Sequence, residues 1–89
     1  MPTEPPSAHR ARVLAGLARM QMLATHLDEA VATATEAIGV AREVGARQAE
    51  AGARTTLGVT LTVGGDPGKG IGELEAARSI AEQVSDPDG

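Results

Sequence analysis

Residues 46–63 read ARQAEAGARTTLGVTLTV, and the fold turns on whether their second half is strand or helix. Leu57, Val59, Leu61 and Val63 alternate with Gly58, Thr60 and Thr62, a period of two rich in β-branched residues that points to a half-buried strand. The first half points the other way. From Arg47 to Thr55 the composition is strongly helix-forming, and Glu43–Arg47 and Glu50–Arg54 stand four apart, the spacing that pairs charges on a helix surface.

A longer pattern decides between them. Forty residues before Leu57, Ala77, Ala81 and Val84 stand Leu17, Ala37, Ala41 and Val44, while Ala18, Ala30 and Val31 correspond in kind to Gly58, Gly70 and Ile71. A helical hairpin repeated at a fixed period is the signature of a stacked array. The offset lays 46–63 onto the first helix of the first copy and predicts a helix over 46–64.

The other helices follow from periodicity and punctuation. Pro2, Pro5 and Pro6 delay the first, Ser7 is an N-cap, and Val13, Leu14, Leu17, Met20 and Leu23 or Ala24 mark an apolar face over 8–24. A second helix begins near Leu27 with Asp28 and Glu29 in its first turn, where negative charge suits the helix dipole. It carries Ala30, Val31, Ala34, Ala37, Ile38, Ala41 and Val44 on one stripe and stops at Gly45. Gly64-Gly65-Asp66-Pro67 ends the third helix and opens a fourth over 67–84, with Ile71, Leu74, Ala77, Ile80, Ala81 and Val84 on its apolar face. The expected fold is all-α: two stacked antiparallel hairpins, 8–45 and 46–85, between a disordered or extended lead-in over 1–7 and a tail over 86–89.

Composition narrows the function. With 89 residues and no Phe, Tyr or Trp, the core must be thin and built of small aliphatic side chains. Eight Lys plus Arg against twelve Asp plus Glu leave a net charge of −4, the wrong sign for a direct nucleic-acid binder. No apolar run approaches the roughly 20 residues of a membrane helix, and the start has prolines and an acid where a secretory signal would have a basic patch and an apolar stretch. The absence of Cys fits a reducing compartment, so the cytoplasm is expected.

Each copy resembles a tetratricopeptide repeat. Leu57-Gly58, Gly65-Asp66, Gly70-Ile71, Leu74 and Ala77 sit where that motif places its small and large packing residues, as do Leu17-Ala18, Asp28-Glu29-Ala30-Val31 and Ala37 in the first copy. The likeness spans roughly residues 12–85. It departs from the family in its period, forty against about 34, and in having no aromatics. The longer period, the linker from Ala41 to Arg47 and the closing stretch from Ala81 to Pro87 are similar to the helical arrays of large ATP-binding LuxR-type bacterial regulators, whose other domains bind ATP and DNA. The resemblance implies an inner, ligand-binding surface made by Arg12, Ala15, Arg19, Met22 and Leu23 of the first helix with Gly52, Thr55, Val59, Thr62 and Val63 of the third. The Lys and Asn with which some members capture C-terminal carboxylates are absent from these positions. What remains is an apolar groove for a partner helix, with Arg12 and Arg19 on one helical face to hold an acidic segment.

The candidates for chemistry are weak. Gly64 to Gly70 superficially resembles a phosphate-binding loop, but the motif's first glycine is Val63 here and its metal-binding hydroxyl is Gly70. His9 and His26 are held roughly 25 Å apart by a helix rising about 1.5 Å per residue and cannot share a metal. Ser7, Ser79 and Ser85 lack an activating His. No enzyme activity, cofactor or metal is expected. The chain is read as a non-catalytic protein-interaction module, the alternatives being a sensory segment of a transcription regulator or a small-molecule-binding helical bundle. The fourth helix shows no polar cap in sequence, so Ile71, Leu74, Ile80 and Val84 are expected to form a self-association face, in a homo-oligomer or a longer array.

Overall fold

The structure, a computed structural model, describes residues 5–85 and is all-helical there: α1 (Ala8–Leu23), α2 (Leu27–Val44), α3 (Arg47–Val63) and α4 (Pro67–Ser85). The sequence-predicted boundaries differ by a residue at most, and the tail over 86–89 lies outside the described residues. The alternating run at Leu57–Val63 is helical throughout. Leu57 and Thr60 turn inward and Leu61 packs on the core, while Val59 and Val63 are exposed.

Local chemistry accounts for the ends. The Ser7 hydroxyl accepts from the Arg10 amide at 3.0 Å, capping α1. Gly45 takes the left-handed conformation at φ 71° and its N–H returns to the Ala41 carbonyl, ending α2. The Asp66 carboxylate accepts from the Lys69 amide at 3.3 Å, with Pro67 in the first position of α4. One end departs from the usual chemistry: Thr25, a β-branched residue, sits at φ 62° where its counterpart forty residues on is Gly65 at φ 101°.

The helices pair as α1 with α2, α2 with α3, α3 with α4 and α1 with α3; among the described residues α2 and α4 do not pack together, nor do α1 and α4. Along α3 and α4 the contacts Arg47–Gln83, Arg54–Glu73 and Gly58–Gly70 rise in one number as they fall in the other, so that hairpin is antiparallel. α1 and α3 run parallel, with Ala8 and Arg12 beside residues 46–49 and Ala15 to Met22 beside Gly52 to Val59. The result is a slab of 38 × 37 × 17 Å.

Its core is mostly alanine. Ala11, Ala18, Ala30, Ala34, Ala37, Ala41, Ala53 and Ala77 are buried, and only Ile38, Leu57 and Ile80 supply larger apolar side chains. Small residues let helix axes approach, and between α3 and α4 two glycines face each other. A Cβ built on Gly58 would lie 2.8 Å from the Gly70 carbonyl oxygen, and one on Gly70 would lie 2.6 Å from that of Gly58. The corresponding residues of the first hairpin, Ala18 and Ala30, are buried with their methyl groups in place.

Of the apolar face expected for α1, Leu14 packs on the core and the rest is open. The α1–α2 contact uses the alanine side, Ala11 and Ala18 with Leu14 and Ala15, whereas Val13, Leu17, Met20 and Leu23 are exposed. The helix has two apolar flanks and one hairpin partner, so the flank with the larger side chains is left open.

Of the two expected ion pairs, Glu50–Arg54 forms and Glu43–Arg47 does not. Glu50 is only 3% exposed, and its carboxylate accepts from Arg54 Nε at 3.0 Å and Arg47 at 3.4 Å. Arg54 reaches on to Glu73 of α4 at 2.8 Å. The Glu50–Arg54 pair thus belongs to a network spanning α3 and α4, and Arg47 is held by Glu50 and Gln83 rather than by Glu43. Burial works against the Arg54 charge, but hydrogen bonds and attraction from Glu73 and Glu50 outweigh it and raise its pKa above the ordinary value.

Candidate functional site

Because α1 and α3 lie side by side in the same direction, the seam between them runs the length of the slab, and small residues make it a groove. Ala15, Gly16, Arg19 and Met22 form one wall and Gly52, Thr55, Thr56 and Val59 the other, flanking an open space of about 550 Å³. A Cβ added at Gly16 or Gly52 would meet nothing within 4 Å, so the two glycines leave open space. Met22 and Val59 supply apolar contact. The Thr55 hydroxyl donates to the Ala51 carbonyl at 2.9 Å, which satisfies its hydrogen and leaves its oxygen free to accept.

Of the eight sequence-predicted groove residues, Arg19, Met22, Thr55 and Val59 line this space. Arg12 stands nearer the N-terminal end of the same seam, beside a smaller hollow with Ala8, Ala46, Arg47, Gln48 and Ala49. Leu23 and Val63, forty residues apart, are exposed at its C-terminal end and do not line it. Thr62 does not belong to the groove: its hydroxyl donates to the Gly58 carbonyl at 2.8 Å and abuts Gly70, placing it at the α3–α4 contact. Gly16 and Thr56 are additional lining residues. Gly16 carried no signal because a glycine in a helical run reads only as a weak spot.

Arg19 is the one charged side chain among the residues that line the groove. No acid lines it, and among the described residues neither Arg12 nor Arg19 has an ion pair or hydrogen-bonding partner through its side chain. An acidic group entering here would meet guanidinium groups whose donors are not already committed.

A second, polar hollow of about 360 Å³ lies over α3 between α2 and α4, lined by Arg42, Arg47, Glu50, Arg54, Ala76, Ser79, Ile80 and Gln83. Its one carboxylate is locked by two arginines, which leaves no general base poised to move a proton. The glycine-rich stretch from Gly64 to Gly70 forms the interhelical turn and the first turn of α4, with the Asp66 carboxylate occupied as the cap.

Comparison with protein-family models, with curated proteins and with solved structures finds no match. No helix among the described residues is long and apolar enough to cross a membrane.

The expected self-association face on α4 is corrected by the packing. Ile80 is buried and Leu74 half-buried, its side chain lying against Gly58 of α3, so only Ile71 and Val84 of the four are exposed. Nor is α4 without a cap. Where α2 presents the buried Ile38, α4 presents Arg78, exposed and paired with Glu82 at 3.0 Å.

Proposed function

We propose that this chain is a non-catalytic protein-interaction module of the tetratricopeptide-repeat type, working in the cytoplasm, and that its ligand is an acidic, amphipathic helical segment of another protein. The observation that carries the reading is the groove between α1 and α3: small residues at Ala15, Gly16 and Gly52, apolar contact at Met22 and Val59, and a guanidinium at Arg19 with no acid among the lining residues. Apolar anchors spaced along a helix would enter the groove, and carboxylates on the flanks of that helix would meet Arg19 and Arg12. The reading as a small-molecule bundle gains no support from the groove, which is an open seam along two helices and not an enclosed cavity.

An unbiased display library of helical peptides, selected on the wild-type protein, tests the proposal. Enriched sequences are expected to be acidic and amphipathic, and to lose binding to Arg19→Glu and Val59→Asp, both at exposed positions. Enrichment of basic peptides, or of peptides that bind both variants as well as the wild type, would contradict it.

A further inference from the structure

Because α2 and α4 do not pack together, the gap between them over α3 stays open as the polar hollow of about 360 Å³. Its acceptors are already engaged. One Glu50 oxygen accepts from Arg54 Nε at 3.0 Å and the other from Arg47 at 3.4 Å, while the Gln83 carbonyl oxygen accepts from Arg47 at 2.6 Å. Arg54 in turn bridges Glu50 and Glu73. The groups left over can all donate: the whole guanidinium of Arg42, Nε of Arg47, the Gln83 amide nitrogen and the Ser79 hydroxyl have no partner among the described residues. They come from three helices, Arg42 from α2, Arg47 from α3, and Ser79 and Gln83 from α4.

The forty-residue period shows the same bias by a separate route. Where α2 carries Glu36, Gly39 and Glu43, α4 carries Ala76, Ser79 and Gln83, and all three of the latter line the hollow. Two carboxylates are thus gone and two donors added at the positions that face Arg42 and Arg47. In a chain of net charge −4, three guanidinium groups here meet one lining carboxylate, which two of them already neutralise. We propose that the hollow is a binding site for a phosphoryl group, carried by inorganic phosphate or by a phosphomonoester. Donors converging from three helices suit a tetrahedral group with three terminal oxygens, close to a dianion at neutral pH, better than a flat carboxylate with two. Arg42 supplies the uncommitted charge, Arg47 and Gln83 hold each other in place beside it, and Ser79 donates from the opposite wall. This site is separate from the α1–α3 groove and does not depend on what binds there.

Titration of isotope-labelled protein with inorganic phosphate and with O-phosphoserine, at constant ionic strength, tests the proposal. Saturable shifts of the Arg42, Arg47, Ser79 and Gln83 amides are expected in the millimolar range. Tighter binding of O-phosphoserine would assign the site to an esterified phosphoryl group, and equal or weaker binding to the free ion. Arg42→Gln, at an exposed position, is expected to weaken binding about tenfold or more, the loss of hydrogen bonds to a charged group. Gln83→Glu, which restores the acid found at Glu43, is expected to abolish it, while Arg78→Gln, outside the hollow, leaves it unchanged. Circular dichroism and thermal melting confirm that each variant is folded. No saturable shift in the hollow, equal binding by Arg42→Gln or Gln83→Glu, or acetate binding as tightly as phosphate would overturn the proposal.

Discussion

Gly58 and Gly70 hold α3 and α4 so close that a methyl group on either would press into the backbone carbonyl of the other, at 2.8 and 2.6 Å. Four residues along, the Thr62 side chain fills the same contact, and Leu74 closes it from α4. Gly58→Ala and Gly70→Ala are each expected to cost about 1–3 kcal/mol through overpacking, despite the better helix propensity of alanine. Gly39→Ala is the control: it sits in α2 with nothing within 4 Å of an added Cβ, so a gain of about 0.5–1 kcal/mol is expected. Thermal melts of the three variants measure both signs.

Leu17 and Leu57 occupy equivalent positions in the two hairpins but different environments, 44% and 7% exposed. Leu57→Ala removes one of three larger apolar side chains from a core of alanines and is expected to cost about 3 kcal/mol. Leu17→Ala, in dilute solution, is expected to cost under about 1 kcal/mol. Urea denaturation of both would show whether the repeat is symmetric in energy; equal losses would contradict the burial pattern.

This pair also marks the limit of what the sequence discloses. Order, number and length of the helices were legible because Ser7, Gly45, Asp66 and Pro67 are local signals that act over one turn. Half of the groove was legible only through the resemblance to a tetratricopeptide repeat, which implied Arg19, Met22, Thr55 and Val59 for the seam that they line. The buried flank of α1 was not. Periodicity shows that a stripe is apolar without showing which neighbour covers it, and here the hairpin partner takes the alanines and leaves the larger residues open. Thr62 was misplaced for a related reason: its direction depends on the glycine contact between α3 and α4, a long-range fact.

Thr25 supplies a third test. A threonine at φ 62° is strained, and the equivalent position of the second hairpin is a glycine at φ 101°. Thr25→Gly is expected to raise stability by about 1 kcal/mol, the relieved strain outweighing the added freedom of the unfolded chain. Gly65→Thr is expected to lower it. Differential scanning calorimetry checks both, and a destabilised Thr25→Gly would mean that the Thr25 hydroxyl, which donates to the Ala24 carbonyl at 2.6 Å, matters more than its backbone.

Glu50 is linked to α4 through Arg54, which also binds Glu73, and through Arg47, which also binds Gln83. Glu50→Ala leaves Arg47 and Arg54 without their buried acceptor and is expected to cost about 2–3 kcal/mol. A double-mutant cycle with Arg54→Ala is expected to show strong coupling that added salt reduces only slightly, since the carboxylate is buried. Coupling near zero would place the pair among ordinary surface ion pairs.

The most direct test of the account is the location of ligand contact. When an acidic amphipathic helical peptide is titrated into isotope-labelled protein, the amide resonances of Gly16, Arg19, Met22, Gly52, Thr55 and Val59 are expected to shift together and saturably, while those of Arg78 and Glu82 stay in place. Saturable shifts centred on α4, or on the hollow around Arg42 and Ser79, with the α1–α3 seam unmoved, would contradict it.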